Sequence, residues 1–266
     1  MTTLSMIRIR AIVRKELRDY RRNRFIVGTM TIMPLIFVAL PITDLFKLSS
    51  DASASKLDAL VGLTVLYLLL IPAMVPASVA AYAVVGEREQ GTLEPVLTTP
   101  VRREEFLLGK ALAALIPTIL ISYGMYGIFL GAVAAFGHQN VASDIFQAPR
   151  ILAQLLFTPL LAGWSIWAGI AISARSSDVR VAQQLGSLAS LPPLAITSLM
   201  GFGVIQPTLT LALILGAALL VVDVFAWRLV STMFNRERLI TGSRARTSTK
   251  TGVFRPRDLS NEVSPR

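Results

Sequence analysis

Cysteine is absent from the chain and histidine occurs once, at His138. Without thiols there is no disulfide framework, no thiolate metal site and no cysteine nucleophile. One imidazole is too few for a His-based metal cluster, and His138, standing alone, reads as a polar loop residue rather than a catalytic or haem-ligating one. Charge is scarce too. Asp, Glu, Lys and Arg make up 16% of the 266 residues against 53% hydrophobic residues, and the mean hydropathy of +0.62 exceeds what a water-facing surface tolerates. The solvent for most of this chain is lipid.

A nucleotide cradle is also missing. Gly109-Lys110 is followed by Ala111 and has no glycine five residues earlier, so it is no Walker A loop. ATP hydrolysis, if used, belongs to a separate subunit. The chain itself is expected to be no enzyme, with no catalytic residue, cofactor or metal of its own.

What is present is apolar and long. Six windows reach the roughly 20 residues a bilayer-crossing helix needs: 25–46, 59–85, 111–136, 151–173, 181–205 and 208–230. The basic stretch ahead of the first is too long for a secretory signal, so that window reads as an uncleaved span. The last two are parted only by Gln206 and Pro207, a tight turn or a short re-entrant segment. Translocated loops are depleted in Lys and Arg. With the N-terminus inside, all but Lys47, Lys56 and Arg150 of the 26 Lys and Arg residues fall on the inner side. The expected architecture is an all-α integral membrane bundle of six transmembrane helices, multi-pass in the cell membrane, with both termini cytoplasmic (N-in/C-in). The net charge of +10 is then topological and no sign of nucleic acid.

Ion-coupled carriers keep ionisable groups at mid-membrane, because a charge there is costly and persists for use. The middles of these windows hold none. Asp223, toward the inner end of the sixth, reads as an interfacial side chain that snorkels or pairs with Arg228. Small-residue ladders let helix backbones approach closely; Gly127 and Gly131, and Ser165, Gly169 and Ser173, are read as intrachain packing, a dimer seam being the alternative. Pro34, Pro72, Pro76, Pro117, Pro159, Pro192 and Pro193 fall inside the windows, where each removes a helix hydrogen bond. Pro34, Pro192 and Pro193 are the candidate helix breaks, suiting a translocation path and a packing kink equally.

Residues 1–24 are strongly basic, with Ile9, Ile12, Val13, Leu17 and Tyr20 spaced as an apolar stripe. An amphipathic helix lying in the inner headgroup layer is expected. Residues 25–230 carry the spans. Residues 231–266, rich in Ser, Thr and Arg, form a basic tail expected to be disordered or lipid-associated.

The segment 86–110 between the second and third windows has a pattern of its own. Gly91 permits a sharp turn, Thr92 can cap a helix, Glu94 suits the positive end of its dipole, and Pro95 is tolerated in a first turn. A short helix over 93–98 follows, with Leu93, Val96 and Leu97 on one face, then a second start with Thr99 as cap and Pro100 as first residue. Physics alone allows a membrane-surface hairpin or a docking knob. Glu87, Glu89, Glu94, Glu104 and Glu105 outnumber the local cations, which is unusual opposite an anionic leaflet and favours a protein partner.

The run Glu87-Arg88-Glu89-Gln90-Gly91-Thr92-Leu93-Glu94, then Leu97-Thr98-Thr99-Pro100, then Leu108-Gly109-Lys110 and Pro117, resembles the loop after the second span of the ABC-2 type permeases. These are the transmembrane subunits of one class of ATP-binding-cassette exporter. The resemblance implies that residues 1–24 are the amphipathic elbow helix and that residues 93–99 are a coupling helix docked in a cytoplasmic ATPase subunit, which binds ATP-Mg. Glu87, Glu89, Gly91 and Glu94 would shape and buttress it, with Thr92, Leu93, Val96, Leu97 and Thr99 in the docked segment. It also implies a second permease copy, as homodimer or sister permease, and efflux of a hydrophobic or amphipathic substrate. An ion-coupled secondary carrier, and a cargo-free membrane scaffold or sensor, are the competing readings.

Overall fold

The computed structural model describes residues 4–47, 54–91, 101–137, 139–202, 204 and 208–233. The expected coupling helix at 93–99, His138, the turn at Gln206 and Pro207 and all of the expected 231–266 tail beyond residue 233 lie outside the described residues; residues 231–233 continue the last helix. Among the described residues every regular element is a helix.

Helix α1 (Met6–Arg22) ends at Asn23, whose extended backbone breaks the helix and whose Oδ1 accepts from the N–H groups of Phe25 and Ile26, capping α2 (Arg24–Lys47). Then come α3 (Ala54–Ala81), the short α4 (Val85–Glu89), α5 (Arg103–Phe136), α6 (Gln139–Ile145), α7 (Ala148–Arg175), α8 (Val179–Ala189), α9 (Leu191–Gly201) and α10 (Leu209–Met233). Among the described residues five stretches are long and apolar enough to cross a membrane: Arg24–Lys47, Ala59–Glu89, Arg103–Phe136, Ala148–Arg175 and Leu209–Thr232.

The fifth sequence window is not one such helix. It folds as α8 and α9, of 11 residues each, parted at Ser190. At a rise of about 1.5 Å per residue each half reaches only some 16 Å. Proline chemistry explains the break. Pro193 has no N–H to give the Ala189 carbonyl one turn back, and the indole Nε1 of Trp164 on α7 donates to that carbonyl instead, at 2.8 Å. The prolines then sit in the first turn of α9, where the missing donors cost nothing. By contrast α2 runs unbroken through Pro34 and Pro41, so Pro34 marks no break.

Helix α3 is the centre of the bundle. Its membrane window is 61% buried, more than that of any other crossing-length stretch. On one side Val61 and Leu68 join Val38 and Leu45 of α2 and Tyr126, Phe129 and Val133 of α5; on the other Leu69 and Ala73 join Phe157 and Leu161 of α7 and Leu194 of α9. Small residues bring α7 and α8 closest: a Cβ on Gly169 would stand 2.7 Å from the Ala80 Cβ, and Gly186 lies against Ala77. The Ser165, Gly169 and Ser173 ladder is thus intrachain packing. Gly127 and Gly131 are not: a Cβ on either meets nothing within 4 Å.

Helix α1 lays part of its apolar stripe on protein. Ile9 and Tyr20 are buried, and Ile12 rests on Gly109 of α5, where an added Cβ would be 2.5 Å from Ile12 Cγ2. Val13 and Leu17 are half-buried among Arg10, Arg14, Arg18 and Arg21, which face outward.

Candidate functional site

On the buried face of α1, between Ile9 and Tyr20, stands Glu16, 5% exposed. Seven residues after Ile9 and four before Tyr20, it falls on the same side of the helix as both. Its partner is Lys110 of α5, 1% exposed, whose Nζ lies 3.0 Å from Glu16 Oε1 and 2.9 Å from Glu87 Oε1 of α4. Lys15 Nζ lies 3.0 Å from each of the same two oxygens. Two ammoniums and two carboxylates therefore alternate in a closed ring drawn from three helices, and Lys110 also sits over the Phe106 ring, 4.9 Å from its centroid.

Each charge is compensated. Burial opposes the ionised form of Glu16, but Lys110 and Lys15 beside it outweigh burial and hold its carboxyl below the usual carboxylate range. Burial likewise opposes charge on Lys15, yet Glu16 and Glu87 lift it above the ordinary lysine value. Tyr20 is raised well above the ordinary phenol value by burial and then by the Glu16 carboxylate, so it stays a neutral wall of the site.

A second buried carboxylate organises the start of α5. Glu105 is fully buried and accepts from the Ser5 N–H at 2.8 Å, the Arg8 guanidinium at 2.9 Å and the Arg102 N–H at 3.1 Å. The bond back to Arg102 caps the helix. The sequence pattern put the start at Thr99 and Pro100. Arg102 is extended and the helix begins at Arg103, with Glu105 bonding back to its cap; Thr99 and Pro100 lie outside the described residues.

On the other side of the loop, α3 and α4 are separated by a break at residues 82–84. Ser173 of α7 repairs it. Its hydroxyl donates to the Ala81 carbonyl and accepts from the N–H groups of Val84 and Val85, each at 3.1 Å. Arg88 donates to the Ser176 and Ala174 carbonyls at the end of α7. Glu89 accepts from the Val179 N–H at 3.4 Å where α8 starts.

The residues named from sequence therefore divide. Glu87 points into the charge ring and Glu89 onto α8. Gly91 has φ +68°, the left-handed backbone that favours glycine, so the chain turns sharply there. Thr92, Leu93, Glu94, Val96, Leu97 and Thr99 lie outside the described residues. Pro192 and Pro193 border an apolar cavity of about 260 Å³ between α7, α9 and α10, far in the chain from Pro34. Asp223 is not paired with Arg228: it is 8% exposed and packed on Gly163 of α7. Sequence reasoning missed Lys15, Glu16, Lys110, Glu105 and Ser173. The available signal was Glu16, a carboxylate on the apolar stripe of a helix otherwise rich in arginine.

The charge ring ties α1, α4 and α5 together on either side of residues 92–100. The family model for ABC-2 family transporter proteins matches residues 10–240. A probable ABC transporter permease protein NosY of Pseudomonas aeruginosa is 30% identical over 146 residues, covering 54% of this chain and 48% of that protein. The protein of the same name from Stutzerimonas stutzeri is 31% identical over 147 residues, covering 50% of this chain and 53% of its own length. The chain spans about half the length of the curated relatives it matches.

Proposed function

The chain belongs to the ABC-2 transporter family, and from that premise we propose that it is the membrane-spanning permease subunit of an ABC exporter, driven by a separate cytoplasmic ATPase that binds ATP-Mg. In this reading α8 and α9 together make a broken fifth crossing that brings the total to six, both termini are cytoplasmic, α1 is the elbow helix, and the 92–100 segment docks in the ATPase. A second permease copy completes the pathway. The chain performs no chemistry; it turns a push on the loop into rearrangement of the bundle.

The observation that carries this is the charge ring. Glu87 precedes the loop, Lys110 follows it, and both are tied to α1. A loop held at both ends by buried ion pairs delivers force to the helices instead of absorbing it by flexing. Purification of the full chain in mild detergent is expected to bring down an ATP-binding subunit. Glu89 is engaged with α8, so the charge reversal suited to the docking surface is Glu94→Lys, with Leu93→Glu beside it. Unchanged co-purification and ATP turnover in both variants would reject the docking assignment. Buried Asp223 favours a rival reading, an ion-coupled carrier; cargo movement under a proton or sodium gradient without ATP would establish that reading instead.

A further inference from the structure

We propose that the polar pocket at the elbow between α1 and α2 binds a phosphate ester bearing a primary ammonium, the headgroup chemistry of an ethanolamine phospholipid. The pocket holds about 460 Å³, and the charge ring forms one part of its wall. Asp19, Tyr20, Arg22 and Asn23, from the last turn of α1 and the elbow itself, line the same pocket. The volume falls within the roughly 300–1,000 Å³ of ligand sites.

The groups left unspent there decide the chemistry. Tyr20 is 7% exposed, yet its hydroxyl has no hydrogen-bond partner among the described residues. A buried hydroxyl in that state is costly. Burial and the Glu16 carboxylate keep it neutral, so it holds a proton to donate. Asn23 spends its Oδ1 on the Phe25 and Ile26 N–H groups, which leaves its amide nitrogen to donate elsewhere. The exposed Arg22 guanidinium makes no ion pair among the described residues. Three donors within four residues, one of them cationic, suit the oxygens of a phosphate.

The one carboxylate of this group calls for the opposite charge. Among the described residues Asp19 reaches only Lys15 Nζ, at 3.4 Å, and that ammonium is already held at 3.0 Å by Glu16 and by Glu87. Asp19 therefore has a minor share of a cation. An under-served anion and an unpaired cation, three residues apart on one helix, complement a zwitterion better than a plain anion: phosphate toward Arg22, Asn23 and Tyr20, ammonium toward Asp19. The setting supplies the rest of the lipid. Crossing-length α2 begins directly after Asn23, so the pocket lies at headgroup depth on α1's side of the membrane. Ile26 lines it, and the half-exposed Phe25 ring beside Ile26 leans on Tyr82 with centroids 6.0 Å apart, an apolar lip along which an acyl chain can leave. The lipid as source rests on α2 being a span; the pocket's chemistry does not.

Native mass spectrometry of the full chain in mild detergent, titrated with dioleoyl phosphatidylethanolamine, gives the affinity. Binding is expected to be about tenfold tighter than that of dioleoyl phosphatidylcholine, whose three methyl groups deny Asp19 a hydrogen bond. Asp19→Asn should erase this preference. Tyr20→Phe, which keeps the ring's packing, and Arg22→Gln, at an exposed position, should each weaken phosphatidylethanolamine about tenfold, the loss of one charge-assisted hydrogen bond. Equal affinity for the two lipids, or an unchanged affinity in either variant, overturns the proposal. Soluble phosphorylethanolamine separates the sources: no binding at the lipid's concentration supports the membrane, and binding as tight as the lipid's overturns the lipid assignment. The titration contains no ATP and no partner, so its failure leaves the permease reading intact, whereas failure to recover an ATPase would leave this binding untouched.

Discussion

Replacing Lys110 with Met removes one corner of the charge ring and keeps the stem's volume. Each of its two contacts, at 2.9 and 3.0 Å, carries a gross attraction of about 6 kcal/mol at an effective dielectric constant near 20. Most of that offsets the desolvation of three buried ions. What the variant loses is compensation: Glu16 and Glu87 remain buried with Lys15 alone, and removing one partner of a buried pair costs about 3–5 kcal/mol. Lys15, whose side chain is 47% exposed, still covers part of the deficit, so the lower end applies. The absence of cysteine gives a clean assay. Ile9→Cys places a lone thiol on the buried face of α1, at a position 5% exposed, and its labelling rate reports how often α1 lifts from α5. A loss of about 3 kcal/mol raises that rate roughly a hundredfold. Adding Glu16→Gln leaves one cation with one anion and should recover at least half of the loss. Labelling of Lys110→Met within about threefold of its parent would refute the clamp.

The same thiol reads the pH dependence when its labelling is expressed at each pH relative to a free thiol, because only the thiolate reacts. The carboxyl of Glu16 is held below its ordinary 4.5, so its stabilisation is present above that value and lost as pH falls through the lower folded one; labelling should be flat from neutrality to pH 5 and climb below. Lys15 is raised, so its share persists until the solution passes the ordinary 10.5; a labelling rise between pH 7 and 10 would count against that pairing. Ser173→Ala strips the α3 break of one acceptor and one donor, a cost of about 1–3 kcal/mol, and hydrogen exchange at Val84 and Val85 should accelerate; protection unchanged at both would sink the repair role. Trp164→Phe orphans the Ala189 carbonyl, costing about 1 kcal/mol in thermal unfolding. In a Pro193→Ala background the restored amide can serve that carbonyl, so the two losses should be less than additive; strict additivity would refute the exchange of donors.

What hydropathy could read was local. Length and lack of charge identify a crossing helix without knowledge of its neighbours, and the helical class and the apolar windows follow from that. Partners are another matter. The stripe on α1 told of an apolar face but not which part of it protein covers; Glu16 was the residue that pointed to protein, since an acid on that stripe gains from a buried cation. Lys110 read as a cation marking the membrane edge because its partner Glu16 lies 94 residues away in the chain. Asp223 read as a partner of Arg228 for the same reason: nothing near it in sequence shows that Gly163 vacates a place for its carboxyl. The Pro192-Pro193 pair announced a distortion, yet the position of the break depends on Trp164, from another helix.

The buried charges at the loop end bear on how the bundle works. Each meets its opposite within the chain, across α1, α4 and α5, and Ser173 and Arg88 extend the ties to α7. A displacement of the loop as a whole leaves those contacts intact only if the tied helices move with it. Because α3 packs against α2, α5, α7, α8 and α9, such a movement reaches nearly every helix. The softest joints in its way are the places where backbone hydrogen bonding has been handed to side chains, at residues 82–84 and at Ser190. The second joint begins α9, whose prolines wall the apolar cavity between α7, α9 and α10. A push on the loop is therefore expected to bend the bundle at Ser190, and the labelling rate of a thiol at Ser190→Cys, with and without Lys110→Met, measures whether the two joints are linked; equal rates would separate them.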